Sequence, residues 1–258
     1  MEMSWLQNII CGESEKTKVQ NWIKYNGADR LKRIYEIARG ESTSVSYYRI
    51  TECAKYDARV SQWLFKTIRV IEGHMRAMLL NFTGCYDVVV DISSKKKRKD
   101  LKTVIPKILS PKDSEGNIGL DWEQLATKLQ RTRLKNINMI GFFDVCSFSE
   151  IGRLHSLLLN EEMYDGCIFK GRDTKATDLG IFNRLRNQIA HNHIILDYAI
   201  NTKDGKLTLK DQIKILLSYI EDKEMRARRI KELNGYAEYY RDGELMKIPQ
   251  HYVIVVEQ

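Results

Sequence analysis

Residues Asp57–Phe82 read DARVSQWLFKTIRVIEGHMRAMLLNF, and Val60, Leu64, Ile68, Ile71, Met75 and Leu79 recur along them at intervals of three and four. That interval returns an apolar side chain to one face of an α-helix, so the stretch predicts a long helix with a buried stripe. Its length and pattern are those of a central helix, and they set the expected class: mainly α, a helical bundle.

The flanking sequence extends the same reading. Ala28–Arg39 places Leu31, Ile34, Tyr35 and Ala38 on one stripe and stops at Gly40. Further helices are expected over Asp121–Thr132, Ser149–Leu159 and Thr177–Leu196. A last one is expected from Thr208, with Asp211 in its first turn, through Ile215, Leu216, Tyr219 and Ile220 to about residue 234. Its basic residues Arg226, Arg228, Arg229 and Lys231 are expected at its end, where positive charge meets the helix dipole favourably. Residues 84–120 break the pattern. Asp87–Ile92 is a β-like apolar patch, and Lys95, Lys96, Lys97, Arg98, Lys99, Lys102 and Lys107 follow with Pro106 and Pro111 nearby. A loop or basic insertion is expected there. After Gly235 the residues alternate and end in His251-Tyr-Val-Ile-Val-Val, which predicts a short C-terminal strand or hairpin.

The chain has 258 residues, 43% of them hydrophobic, which is enough for a core without covalent staples. A single domain over 1–258 is expected, with 197–258 as a C-terminal elaboration of it. Lys and Arg number 42 against 34 Asp and Glu, and the resulting charge of +8 favours polyanionic partners such as nucleic acid. Cys11, Cys53, Cys85, Cys146 and Cys167 lie far apart, without the paired spacing of a zinc or redox site, and read as reduced thiols. No basic start leads into a sustained apolar run, and nowhere do about 18 apolar residues follow one another. A cytoplasmic protein without a membrane partner, cofactor or metal is expected.

Chemistry concentrates at Arg184–His193, RLRNQIAHNH. On a helix advancing about 100° per residue, Phe182, Leu185 and Ile189 share a core-facing stripe, and Arg184, Asn187 and His191 fall within about 60° of one another on the opposite side. Arg186 lies about 140° from His191. The two converge only through the long arginine side chain, a local distortion or a second protomer. A guanidinium grips phosphate oxygens and keeps its charge, an imidazole exchanges protons near neutrality, and Asn187, one turn before His191, can orient the ring or touch the phosphate. Those groups suffice to cleave RNA without a metal, because the 2′-hydroxyl is the nucleophile. Spacing alone is weak evidence. A chain of this size carries roughly one chance match, and Arg69 with His74 has the same spacing as Arg186 with His191.

More than the spacing agrees. Arg184-Leu-Arg-Asn-Gln-Ile-Ala-His-Asn resembles the signature of the HEPN superfamily, specifically the Abi-like abortive-infection proteins of the AbiD and AbiF type. Ser46-Tyr-Tyr-Arg-Ile50 resembles the family's early Tyr-Tyr-Arg-Leu element, and Asp57 through Ile71-Glu-Gly-His-Met-Arg76 resembles its Asp-x-x-Leu and Ile-Glu-x-x-x-Arg helix. Phe142-Phe143 to Leu159 looks like its Leu-Ser-Phe-Gly-x-Leu-Ser segment. The likeness covers about 30–200 in the family's order.

This resemblance implies a HEPN-like helical fold in which two protomers form a composite Arg/His cleft. It also implies an endoribonuclease that leaves 2′,3′-cyclic phosphate and 5′-hydroxyl ends, acting in phage defence or as a toxin restrained by an RNA or protein antitoxin. Carried over by position, Arg186, Asn187 and His191 are the candidate catalytic residues, with Arg184 and Glu72 supporting. Some HEPN toxins carry a tyrosine two residues after the motif histidine, where a partner enzyme modifies it. This chain has His193 there, so control by that modification is not expected.

Lys95, Lys96, Lys97 and Arg98 are candidate RNA-docking residues, set against the plain reading of a solvated loop. Glu72 stands one turn before Arg76, and an intrahelical ion pair explains both without invoking catalysis. Tyr47, Tyr48, Trp63 and Trp122 could stack on bases, but aromatics at helical spacing are more often core. Two other classes of function remain as alternatives: a non-catalytic RNA-binding module, and a protein that senses a phage component through its dimer surface.

Overall fold

A computed structural model describes residues 4–84, 88–109, 120–158, 176–203, 205–241 and 248–257. The protein is mainly helical, as the periodicity predicts. Its helices are α1 (Glu13–Asn26), α2 (Ala28–Arg39), α3 (Tyr47–Thr83), α4 (Lys95–Leu109), α5 (Trp122–Arg131), α6 (Met139–Val145), α7 (Phe148–Leu158), α8 (Ala176–Ala190), α9 (Leu209–Ser218) and α10 (Lys223–Arg241). Strands are short and paired in twos. β1 (Ile9–Ile10) runs parallel to β2 (Val45–Ser46), β3 (Val89–Asp91) is antiparallel to β4 (Asn136–Asn138), and β5 (Ile200–Thr202) forms a hairpin with β6 (Gly205–Leu207). No helix of the described residues is long and apolar enough to cross a membrane.

The chain divides into two compact units. The first comprises Met1–Thr67, Arg184–Leu217 and Lys223–Gln258, and the second Ile68–Asn183 with Ser218–Asp222.

Within the first unit, α2 is amphipathic and buries Leu31, Ile34, Tyr35, Ile37 and Ala38. The first half of α3 buries Ile50, Cys53, Tyr56, Val60, Trp63 and Leu64. The helix therefore starts ten residues before its expected beginning at Asp57, because Ile50 and Cys53 continue the apolar stripe and the Ser46 hydroxyl accepts the Arg49 amide at 3.2 Å. Trp63 sends its indole N–H to the Arg229 carbonyl at 3.0 Å, tying α3 to α10. Arg59 lies over the rings of Tyr236, Tyr239 and Tyr240, 5.0–5.9 Å from their centroids.

The expected C-terminal strand takes another form. Gln250–Tyr252 is a 3-10 turn, and Val253–Glu257, which starts from an extended Val253, belongs to no sheet. Side chains supply the partners a strand neighbour would have supplied. The Tyr56 hydroxyl accepts the Ile254 amide at 2.8 Å, and the Asn234 carboxamide both donates to the Val256 carbonyl at 2.8 Å and accepts its amide at 3.0 Å. The hairpin lies elsewhere, at β5–β6, a stretch with no alternating pattern to announce it.

The expected single helix over 208–234 is two. Asp211 and Thr208 cap each other at the start of α9, as anticipated, but the helix stops at Ser218 and α10 begins at Lys223. Tyr219 and Ile220 are buried in the break, and the Tyr219 hydroxyl donates to Asp178 at 3.0 Å in the second unit. Arg226, Arg228, Arg229 and Lys231 consequently sit in the first half of α10, not at its carbonyl end. The favourable dipole contact proposed for them is lost, and Arg229 is satisfied locally by Glu232 at 3.2 Å.

In the second unit the later part of α3 buries Ile68, Ile71, Met75 and Leu79. Arg76 donates to the Glu72 carboxylate at 2.7 Å, as the i,i+4 spacing predicts, and also to the Cys146 carbonyl at 2.9 Å. Glu150 accepts the Ser147 amide at 2.6 Å and pairs with Lys128 at 2.8 Å. His155, buried against the Met75 carbonyl at 2.6 Å, is pushed down to about 4 by burial and is neutral at pH 7.

The expected basic loop is largely helical. Lys95–Leu109 forms α4 because Ser94 caps its start, accepting the Lys97 amide at 3.2 Å, and because Leu101 and Ile105, one turn apart, are buried. The helix even includes Pro106. Pro111, Cys85 and Cys167 lie outside the described residues, while Cys11, Cys53 and Cys146 are free thiols.

Asn234→Ala strips both backbone partners from Val256. It is expected to cost about 1–3 kcal/mol in urea unfolding and to raise hydrogen exchange at the Val256 amide. Parent-like stability would show that the C-terminal segment is not held this way.

Candidate functional site

The site begins where α8 ends. Phe182 and Leu185 are fully buried and Ile189 is half-buried, so the apolar stripe faces inward as the periodicity requires. Arg184, Asn187 and His191 are exposed together on the other side, within the first unit, and Arg186 is half-buried off that stripe. The structure thus brings three of the four polar candidates on this helix to one solvent-facing surface.

The helix does not continue to Leu196 as expected. Asn192 adopts a left-handed backbone with φ 56°, its amide bonds the Ile189 carbonyl at 2.9 Å, and the His193 amide reaches back to the Gln188 carbonyl at 2.9 Å. That pair of bonds is a Schellman cap, in which asparagine takes the position usually given to glycine. His191 is therefore the last residue before the turn, still bonded through its amide to the Asn187 carbonyl at 3.0 Å. The cap turns the chain sharply and sets the rings of His191 and His193 with centroids 6.2 Å apart.

Beyond the cap the chain forms an anchored strap. Ile194, Ile195 and Leu196 are buried. Asp57, only 1% exposed on α3, accepts the amides of both Ile195 and Leu196 through Oδ1, at 2.8 and 3.1 Å. Arg33 on α2 then grips Asp197, with Nε 3.0 Å from each carboxylate oxygen and Nη2 2.8 Å from Oδ1. Burial pushes the Asp57 carboxyl up to about 6 from its ordinary 3.8, against the pull of the two amides and of Arg30. The Arg30 guanidinium is in turn lowered, by burial first, with Asp57 opposing.

Two clefts open at this cap, both wholly within the first unit. One, about 410 Å³, is lined by Asn26, Gly27, Asp29 and Arg30 at the α1–α2 junction and by His191 and His193. Gly27 makes that junction possible: its φ of 85° turns the chain directly from α1 into α2 with no intervening loop, and it leaves the first turn of α2 without a side-chain cap. The other cleft, about 320 Å³, runs along Ala58, Ser61, Gln62 and Phe65 of α3 to Ile189 and His193. Arg30, Asn192 and His193 line both.

Glu72 and the basic residues Lys95, Lys96, Lys97 and Arg98 belong to the second unit. Glu72 is buried in its ion pair with Arg76. The three lysines are exposed on the first turn of α4, and Arg98 bends to the Ile92 carbonyl at 2.8 Å. Of the aromatic candidates, Tyr47 and Trp63 are core, while Tyr48 is 55% exposed.

Arg30, Arg33, Asp57 and Asp197 were not among the site candidates that the sequence pattern singles out. Asp57 carried a usable signal, because it is in phase with Val60, Leu64 and Ile68 on the apolar stripe, where a lone carboxylate needs buried donors. Arg33 and Asp197, 164 positions apart, carried none.

No family model, curated protein or solved structure matches this chain.

Because the Asp57 pKa is higher folded than unfolded, its contribution favours folding fully below 3.8 and is lost as pH rises through about 6. Asp57→Asn keeps the acceptor for both amides and is expected to abolish that fall in stability. Asp57→Ala leaves two buried amides unpaired and should cost about 1–3 kcal/mol or more at pH 7. Urea titrations at several pH values decide, and a pH slope unchanged in Asp57→Asn would refute the assignment. At the cap, Asn192→Gly should be neutral or stabilising and Asn192→Val should lose about 1–2 kcal/mol, because a β-branched residue resists positive φ.

Proposed function

We propose that the protein is a metal-independent endoribonuclease of the HEPN type, with its chemistry at the capped end of α8. The observation that carries this reading is the joint exposure of Arg184, Asn187 and His191 beside clefts that also receive His193 and Arg30. The sequence likeness over about 30–200 adds to it.

In this mechanism the 2′-hydroxyl of the RNA attacks the adjacent phosphorus and the 5′-oxygen of the next nucleotide departs. His191 takes the proton from the 2′-hydroxyl or delivers one to the leaving oxygen, while Arg186 and Arg184 stabilise the extra negative charge on phosphorus. The products carry 2′,3′-cyclic phosphate and 5′-hydroxyl ends. Arg186 stands off the His191 stripe, and the family resemblance supplies the way the site is completed: a second arginine–histidine pair from another copy of the chain, the active form being a homodimer. Such an activity suits phage defence or a toxin restrained by an RNA or protein antitoxin, working in the cytoplasm. Lys95, Lys96 and Lys97 contribute charge for RNA without reading sequence.

His191→Ala should slow cleavage of single-stranded RNA by roughly 10²–10⁴-fold while leaving the melting temperature and dimer unchanged. Mapping RNA ends after induced expression supplies the readout. Parent-like cleavage by His191→Ala would sink the catalytic assignment, and binding without products from the parent would favour a binding module instead.

A further inference from the structure

The two clefts at the α8 cap differ in chemistry and share a cation. In the first, Arg33 is occupied by Asp197, whereas the Nη1 atom of Arg30 is buried without a hydrogen-bond partner. A buried guanidinium nitrogen left this way is costly, and an anionic oxygen is the acceptor that best satisfies it. The uncapped first turn of α2 adds partial positive charge beside it. Asp29 also lines that cleft and opposes an anion there, whereas Arg30 lines both clefts and Asp29 only the first.

The second cleft has another character. Ala58, Phe65 and Ile189 give it apolar walls, Ser61 and Gln62 place hydrogen-bonding groups among them, and its volume of about 320 Å³ suits one small flat group. The Asp57 carboxyl also lines it and offsets part of the Arg30 charge, but its Oδ1 is taken up by the Ile195 and Leu196 amides. Those are the features of a nucleobase pocket, since a base has a π-face for stacking and an edge for hydrogen bonds.

We propose that the junction of these clefts is a single-nucleotide subsite for RNA, in which Arg30 holds a backbone phosphate and the second cleft takes the attached base against Phe65, with Gln62 at its edge. The identity of the polymer rests on the ribonuclease reading above. The subsite extends that reading to residues outside the Arg/His pattern and gives the enzyme a means of choosing which nucleotide lies beside His191.

The test is fluorescence anisotropy on the full chain with a single-stranded 2′-O-methyl oligonucleotide, which keeps phosphates and bases but lacks the nucleophile. Arg30→Ala is expected to weaken binding roughly tenfold and to lower the slope of log affinity against log salt by about 0.7, the signature of one lost phosphate contact. Arg30→Lys restores the slope but not the full affinity. Phe65→Ala weakens binding by roughly tenfold with the slope unchanged. A merely structural role for Arg30 would leave the slope alone. Parent-like affinity and slope in Arg30→Ala, or a parent that does not bind, overturns the proposal. Cleavage of unmodified RNA, assayed in parallel, keeps the two readings apart. A parent that binds through Arg30 but leaves RNA intact refutes the ribonuclease and leaves the subsite standing. A parent that cleaves while Arg30→Ala binds unchanged refutes the subsite alone.

Discussion

A buried carboxylate holds the functional end of this molecule in place. Asp57 has nowhere to solvate its charge, so its Oδ1 takes the amides of Ile195 and Leu196. Those amides lie just past the cap of α8 and have no helix or strand to satisfy them. Each side of the contact thus answers a need of the other. Without it, the turn carrying His191 and His193 would lead into three apolar residues with nothing to fix their register on α3. The Arg33–Asp197 pair repeats the anchor from α2 one residue further on.

The cap itself is a local device with consequences beyond its own turn. Asparagine tolerates positive φ better than most residues, so Asn192 can end the helix there without glycine. Had α8 continued to Leu196, His193 and the apolar residues after it would continue the helical spacing around the cylinder. Instead the chain reverses, Ile194, Ile195 and Leu196 turn into the core, and both histidines are left on the surface beside Arg30. Packing and polar presentation are therefore settled by the same few backbone bonds.

Charge obeys a similar logic at the other basic segments. The lysines that open α4 stand where the helix dipole disfavours them, yet burial of Leu101 and Ile105 and the Ser94 cap sustain a helix. In α10 the basic residues are likewise not where dipole reasoning would have placed them. Local electrostatics of a few tenths of a kcal/mol yields to apolar burial worth several times as much.

The sequence by itself determined the helical class, the stripes of α2 and α3, the Glu72–Arg76 pair and the outward face of Arg184, Asn187 and His191, because helical periodicity and i,i+4 contacts are local properties of the chain. Tertiary structure decided the rest. It split the expected 208–234 helix around the buried Tyr219 and Ile220, and replaced the expected terminal strand with a segment outside any sheet, held by Tyr56 and Asn234. Above all it brought Arg30 and Asp57 to the end of a helix far away in sequence. Which buried amide meets which carboxylate depends on how helices pack, and no spacing along the chain encodes that.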